Sequence, residues 1–136
     1  MFEDYLNILL FYCGFKVEST KKSRDYGADL ILTDSKTQTK IIIQAKRYNK
    51  PVGSKAVQEI LAAKLHYKAD EGWVITNNSY TPQAELLAKE NNIRLIDRQE
   101  LIELYTGVCK DLEIQLQQGI LQYEKTSFKQ KYPYYI

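Results

Sequence analysis

Histidine occurs once and cysteine twice in the 136 residues, and these scarcities exclude several chemistries. Cys13 and Cys109 lie far apart, form no C-x-x-C pair and have no histidine beside them, which argues against a zinc site. Sparse, unclustered cysteine also points to a reducing compartment, so the cytoplasm is the expected location. The lone His66 has no serine or cysteine context that would make it part of a hydrolytic triad. No G-x-x-x-x-G-K-[ST] run exists, so a phosphate-binding loop of that type is absent. No apolar run approaches the roughly 20 residues that a membrane span needs. The apolar opening MFEDYLNILLFYCGF lacks a basic leading segment and carries Glu3 and Asp4; it reads as an amphipathic helix, not a signal peptide. There is no internal repeat and no low-complexity tract.

What is present is an ordinary globular composition, 44% hydrophobic and 26% charged, in a length suited to one domain. The net charge of +2 conceals an asymmetry. Residues 21–55 hold nine of the nineteen Lys and Arg against three acids, a local charge of +6 that leaves −4 for the rest. Such concentration fits either a polyanion footprint or solvated loops around a hairpin.

Periodicity organises the chain. Phe2, Tyr5, Leu6, Leu9, Leu10 and Cys13 form one helical stripe, which Gly14 ends. FKVES is a short first strand, and ADLIL and KIIIQAK are two strands of a hairpin joined by TDSKTQT. Lys55 to Tyr67 is helical, with Val57, Ile60, Leu61, Lys64 and Leu65 in spacing, and GWVIT is a buried strand. Thr81 caps a helix with Pro82 at its first position, IRLID is a further strand, and Asp97 with Glu100 opens the helix DRQELIELYTG. This order predicts an α/β fold of three layers, a central mixed β-sheet flanked by helices. Residues 1–107 are expected to form the domain, with 108–136 a C-terminal helix and a basic, Tyr-rich tail.

One strand end carries unusual chemistry. In KIIIQAK, Ile42, Gln44 and Lys46 share a face, so the amide and the amine project side by side, roughly 6 to 7 Å apart at the backbone. Asp29 opens the preceding strand, and a hairpin brings its carboxylate towards that pair. A carboxylate and an amide carbonyl are hard oxygen ligands suited to Mg²⁺, which fills its octahedron with water and substrate phosphate. A neighbouring ammonium stabilises a pentavalent phosphate or positions the attacking water. The plainer reading is that these are merely the polar ends of two strands.

The surroundings favour the first reading. RDYGAD, a strand, a turn, a strand ending in QAKRY, then VGSKAVQEI opening a helix resembles the Mrr-like, QxK branch of the PD-(D/E)XK restriction-endonuclease superfamily. ADEGWVITNNSYTPQAELLAKENNIRLIDRQELIELYTG resembles the later strand–helix–strand–helix of that family, so the likeness covers about residues 2 to 107. The resemblance implies a restriction-endonuclease-like fold and a metal-dependent DNA endonuclease using Mg²⁺ or Mn²⁺. It implies Asp29 and Gln44 as metal ligands and Lys46 as the catalytic lysine. Glu3 resembles the first-helix acid that many such nucleases place beside the metal; the alternative is a solvated acid favoured by the helix dipole. Gln58 stands where related nucleases add a polar residue to the site, or is an exposed helix position.

Lys21, Lys22, Arg24, Arg47, Lys50 and Lys55 are expected to hold the DNA backbone without reading sequence. Tyr26, Tyr48 and Tyr80 are further candidates to lie along DNA, each weak in a chain of eleven tyrosines. A nuclease of this size that cuts two strands is expected to be a homodimer, with the C-terminal helix in the interface. A Holliday-junction resolvase, a non-catalytic DNA-binding module on the same fold, and a domain that relies on a separate DNA-recognition partner remain alternatives.

Overall fold

The computed structural model describes residues 2–20 and 27–118. In chain order the elements are α1 (Phe2–Tyr12), β1 (Phe15–Ser19), β2 (Leu30–Asp34), β3 (Lys40–Lys46) and α2 (Ser54–His66), then β4 (Glu71–Thr76), α3 (Pro82–Glu90), β5 (Arg94–Ile96) and α4 (Arg98–Gln117). The five strands form one sheet in the order β1-β2-β3-β4-β5. β1, β2 and β3 pair antiparallel, Leu30 standing opposite Ile43, and β3, β4 and β5 pair parallel, Lys46 standing opposite Thr76. The hairpin comes from a short polar link between β2 and β3, whereas each parallel pairing requires a helical crossover, here α2 and α3.

Strand alternation sends successive residues of β3 to opposite layers. Ile42 joins Val57, Ile60 and Ala63 of α2, Val74, and Ala84 and Ala88 of α3 on one face. Ile41 and Ile43 join Leu6, Leu9 and Leu10 of α1, with Trp73, Ile75 and Leu101, on the other. Three layers result, as the sequence pattern predicts.

The caps form as expected. The Thr81 hydroxyl accepts from the Ala84 N–H at 3.1 Å, and the Asp97 carboxylate accepts from the Glu100 N–H at 2.9 Å. The Glu100 carboxylate does not complete a reciprocal box but pairs with Arg94 at 2.6 Å. Two expectations shift. α4 runs through Gly107 to Gln117 as one helix, so the expected boundary at 107/108 falls inside it. On α2 the buried stripe is Ala56, Val57, Ile60 and Ala63, while Leu65 is 81% exposed.

Tyr80 also takes a place the sequence did not indicate. It is buried, and its hydroxyl lies 2.8 Å from both the Val74 and the Ile96 carbonyl oxygens, tying β4 to β5. It is therefore part of the core and not a DNA contact. Burial pushes its phenol well above the ordinary range. Tyr80→Phe removes the single O–H that these two carbonyls share, so a loss of roughly 0.5–1.5 kcal/mol is expected, to be read by chemical denaturation. Among the described residues no helix is long and apolar enough to cross a membrane.

Candidate active site at the carboxyl end of β3

Asp29 and β3 meet through the backbone. The Asp29 N–H donates to the Ile43 carbonyl at 2.8 Å, and the Asp29 carboxylate accepts the Ala45 N–H at 2.7 Å. Ala45 lies beyond the last β2–β3 register pair, so this carboxylate takes the place of a backbone partner where β2 stops. The carboxylate thus sits against the residue between Gln44 and Lys46. From the β1 side, the Thr20 N–H donates to the Asp29 carbonyl at 3.0 Å and the Thr20 hydroxyl to the Ala28 carbonyl.

Gln44 is buried at 4% exposure on the α2 face. Its Nε2 donates to Glu59 Oε2 of α2 at 2.5 Å. The same Glu59 oxygen lies 3.5 Å from Lys46 Nζ, and both side chains are partly open to solvent, 33% for Glu59 and 20% for Lys46. Lys46 Nζ also stands 5.8 Å from the centre of the Tyr48 ring. A carboxylate accepts and cannot donate, so Glu59 dictates which end of the Gln44 amide faces it. The carbonyl Oε1 is left buried with no hydrogen-bond partner.

Gly27 is fitted to this arrangement. Its φ is +75°, and a Cβ at this position would come within 2.9 Å of the Glu59 carbonyl oxygen. A larger residue would have to push the chain before Asp29 away from the turn of α2 that carries Glu59.

The structure brings Asp29, Gln44 and Lys46 together, as the sequence leads one to expect. It adds Glu59, which the sequence reading missed. Gln58 is exposed, and the α2 side chain that reaches the cluster is the next one along. Glu3 is exposed in the first turn of α1, whose buried leucines pack on the other face of the sheet from α2. Arg47, Lys50 and Lys55 are exposed beyond or beside the cluster, whereas Lys21, Lys22, Arg24 and Tyr26 lie outside the described residues. His66 stacks edge-on against Tyr67 at 4.8 Å and has no place in the cluster.

The donor set suits a hard divalent cation. Among the described residues no group of three or more His, Cys, Asp or Glu could enclose a metal. One carboxylate and one orphaned carbonyl are what Mg²⁺ takes from a protein when water and phosphate supply the remaining ligands. An unsatisfied buried oxygen is costly, roughly 1–3 kcal/mol, and a cation relieves that cost.

The family model described as "Restriction endonuclease", Mrr_cat, matches residues 1–105. No curated protein matches the chain. Among solved structures, the DNA modification-dependent restriction endonuclease AspBHI is 22% identical, with a TM-score of 0.63 over 76% of this chain and 30% of its own. The MspJI restriction endonuclease in complex with a 27-mer oligonucleotide is 19% identical, TM-score 0.57, over 76% of this chain and 26% of its own. A repair endonuclease from Pyrococcus abyssi is 19% identical, TM-score 0.54, over 69% of this chain and 43% of its own. The chain therefore spans less than half the length of these three proteins, and the likeness to them is one of fold.

Proposed function

The chain belongs to the Mrr-like restriction-endonuclease family of the PD-(D/E)XK superfamily, and from that premise we propose that it is a metal-dependent DNA endonuclease that hydrolyses phosphodiester bonds. The observation that carries this reading is the orphaned Gln44 carbonyl, buried at the strand end where the Asp29 carboxylate accepts the Ala45 N–H and the Lys46 amine faces Glu59. Asp29 and Gln44 would hold Mg²⁺ or Mn²⁺. A bound divalent ion supplies charge neutralisation at the phosphate and lowers the pKa of a coordinated water.

The protein's own groups do the rest. Hydrolysis adds a water oxygen to phosphorus and breaks one phosphorus–oxygen ester bond; the water loses a proton and the leaving oxygen gains one. Lys46 donates hydrogen bonds to the non-bridging phosphate oxygens, where negative charge accumulates, and holds the incoming water in line. Glu59 restrains Lys46 and Gln44 together, so the amine meets the phosphate and the amide carbonyl faces the metal in fixed orientation. The buried apolar layers of β3 hold the strand end rigid beneath them. Cutting both strands of a duplex calls for two such sites, so the acting form is proposed to be a homodimer.

The test is cleavage of supercoiled plasmid, linear duplex, single strand and a four-way junction, each with Mg²⁺, Mn²⁺ or EDTA. Metal-dependent nicking or linearisation that EDTA abolishes is the expected result. Binding of DNA without cleavage of any substrate would replace this reading with that of a non-catalytic DNA-binding module. Cleavage confined to the junction would identify a resolvase.

A further inference from the structure

A cleft of about 1010 Å³ opens just past the carboxyl ends of the three parallel strands. Its cationic lining comes from separate segments: Arg47 directly after β3, Lys50 in the same loop, and Arg98 directly after the Asp97 that follows β5. Crevices at this end of parallel strands are where open α/β sheets accept ligands.

The floor is built, not loose. The Tyr48 N–H donates to Asn77 Oδ1 at 2.8 Å, the Val52 N–H to the Ser79 carbonyl at 2.8 Å, and the Arg98 N–H to the Asn78 carbonyl at 2.9 Å. Those bonds hold the loops after β3 and β4 and the start of α4 in one arrangement. The cations above them are left unused. Among the described residues, none of Arg47, Lys50 and Arg98 takes part in an ion pair. The one acid in the lining, Asp97, is occupied in capping α4.

Arg98 is the least expected of the three. It is exposed at the first position of a 20-residue helix, where the helix dipole disfavours a cation. Neither packing nor an ion pair compensates it, which leaves its guanidinium open to an anion outside the chain. Lys46 ends β3 and Arg47 lines the cleft, so the cleft begins where the candidate active site stops.

We propose that this cleft seats the DNA backbone next to the scissile phosphate, with Arg98 and Lys50 each holding a phosphodiester. This rests on the nuclease reading for the identity of the polyanion but not for its binding. Arg98 lies 51 residues beyond Arg47 in the sequence and outside the basic segment 21–55, so charge density along the chain does not reveal it.

The experiment measures binding of the full chain to a labelled 20-base-pair duplex in EDTA, over a range of salt, by fluorescence anisotropy. Arg98→Ala and Lys50→Ala are each expected to weaken binding at least about fivefold and to reduce the slope of log K against log salt by about one. Arg98→Lys recovers most of the affinity. Lys110→Ala, the same loss of charge about 18 Å further along α4, leaves the slope unchanged. The melting temperature of Arg98→Ala is unchanged or raised, because a cation leaves the first turn of α4.

Wild-type binding by Arg98→Ala and Lys50→Ala overturns the proposal, as does an equal loss in Lys110→Ala. If the unsubstituted chain cleaves DNA with metal but Arg98→Ala binds normally, the cleft assignment alone falls. If nothing is cleaved yet Arg98→Ala loses affinity and slope, the cleft stands and the nuclease reading falls.

Discussion

Lys46→Ala and Asp29→Asn are each expected to reduce the rate of DNA hydrolysis by a factor of roughly 10²–10⁴ while leaving the protein folded. The two substitutions act for different reasons. Removing Lys46 takes away the ammonium proposed to answer the charge on the phosphate. It also breaks a half-open ion pair with Glu59 at 3.5 Å, but such pairs contribute about 0–1 kcal/mol, so little stability is lost. Asp29 has a structural duty as well, because its carboxylate accepts the Ala45 N–H. Asparagine retains a carbonyl oxygen for that bond and deletes only the charge, which makes it a cleaner probe than alanine. Plasmid cleavage rates, set beside thermal melting of each variant, check both. Full cleavage by either variant would remove Asp29 or Lys46 from the chemistry.

The second large effect concerns Gln44. Replacing an amide by a carboxylate in a candidate metal site would ordinarily be expected to strengthen it. Here Gln44→Glu should do the opposite. Gln44 Nε2 donates to Glu59 at 2.5 Å, and a glutamate in its place would set two carboxylates in contact. Like charges at that distance repel unless one takes up a proton. The single variant is expected to lose about 1–2 kcal/mol of stability near neutral pH, the smaller end allowing for the open side of Glu59. Its cleavage rate should fall at least about tenfold, because the repulsion turns side chains away from their positions. The exchange Gln44→Glu with Glu59→Gln restores a donor facing an acceptor, and should recover stability together with metal binding read by calorimetry. If Gln44→Glu alone is as stable as the unsubstituted protein and binds Mg²⁺ more tightly, the Glu59 contact has no controlling role.

The α2 side chain shows why part of the site could be read in the sequence and part could not. Successive helical residues turn by about 100°. With Ala56, Val57, Ile60 and Ala63 buried, Gln58 falls opposite the buried arc and Glu59 at its border, where a side chain can lean onto the end of β3. The stripe through Leu61 and Leu65 misplaced that arc, since Leu65 points to solvent and the two small alanines carry the contact. Alanine is a weak hydrophobic signal, so the helix phase was hidden in the least conspicuous residues. Tyr80 was hidden for a related reason: a tyrosine in a polar loop gives no sign that two strand carbonyls await its hydroxyl.

By itself the sequence determined the strand and helix periods, the caps at Thr81 and Asp97, and the placing of Asp29 at the same end of a hairpin as Gln44 and Lys46. Those follow from local alternation and from neighbours joined by a short turn, and such terms are written in adjacent residues. Only the tertiary structure decided that Glu59 orients the Gln44 amide, that Tyr80 is core, and that Arg98 faces the same cleft as Arg47. These depend on how α2, β4 and α4 dock against the sheet, a sum of many small packing contacts between residues far apart in the chain, which no short stretch of sequence encodes.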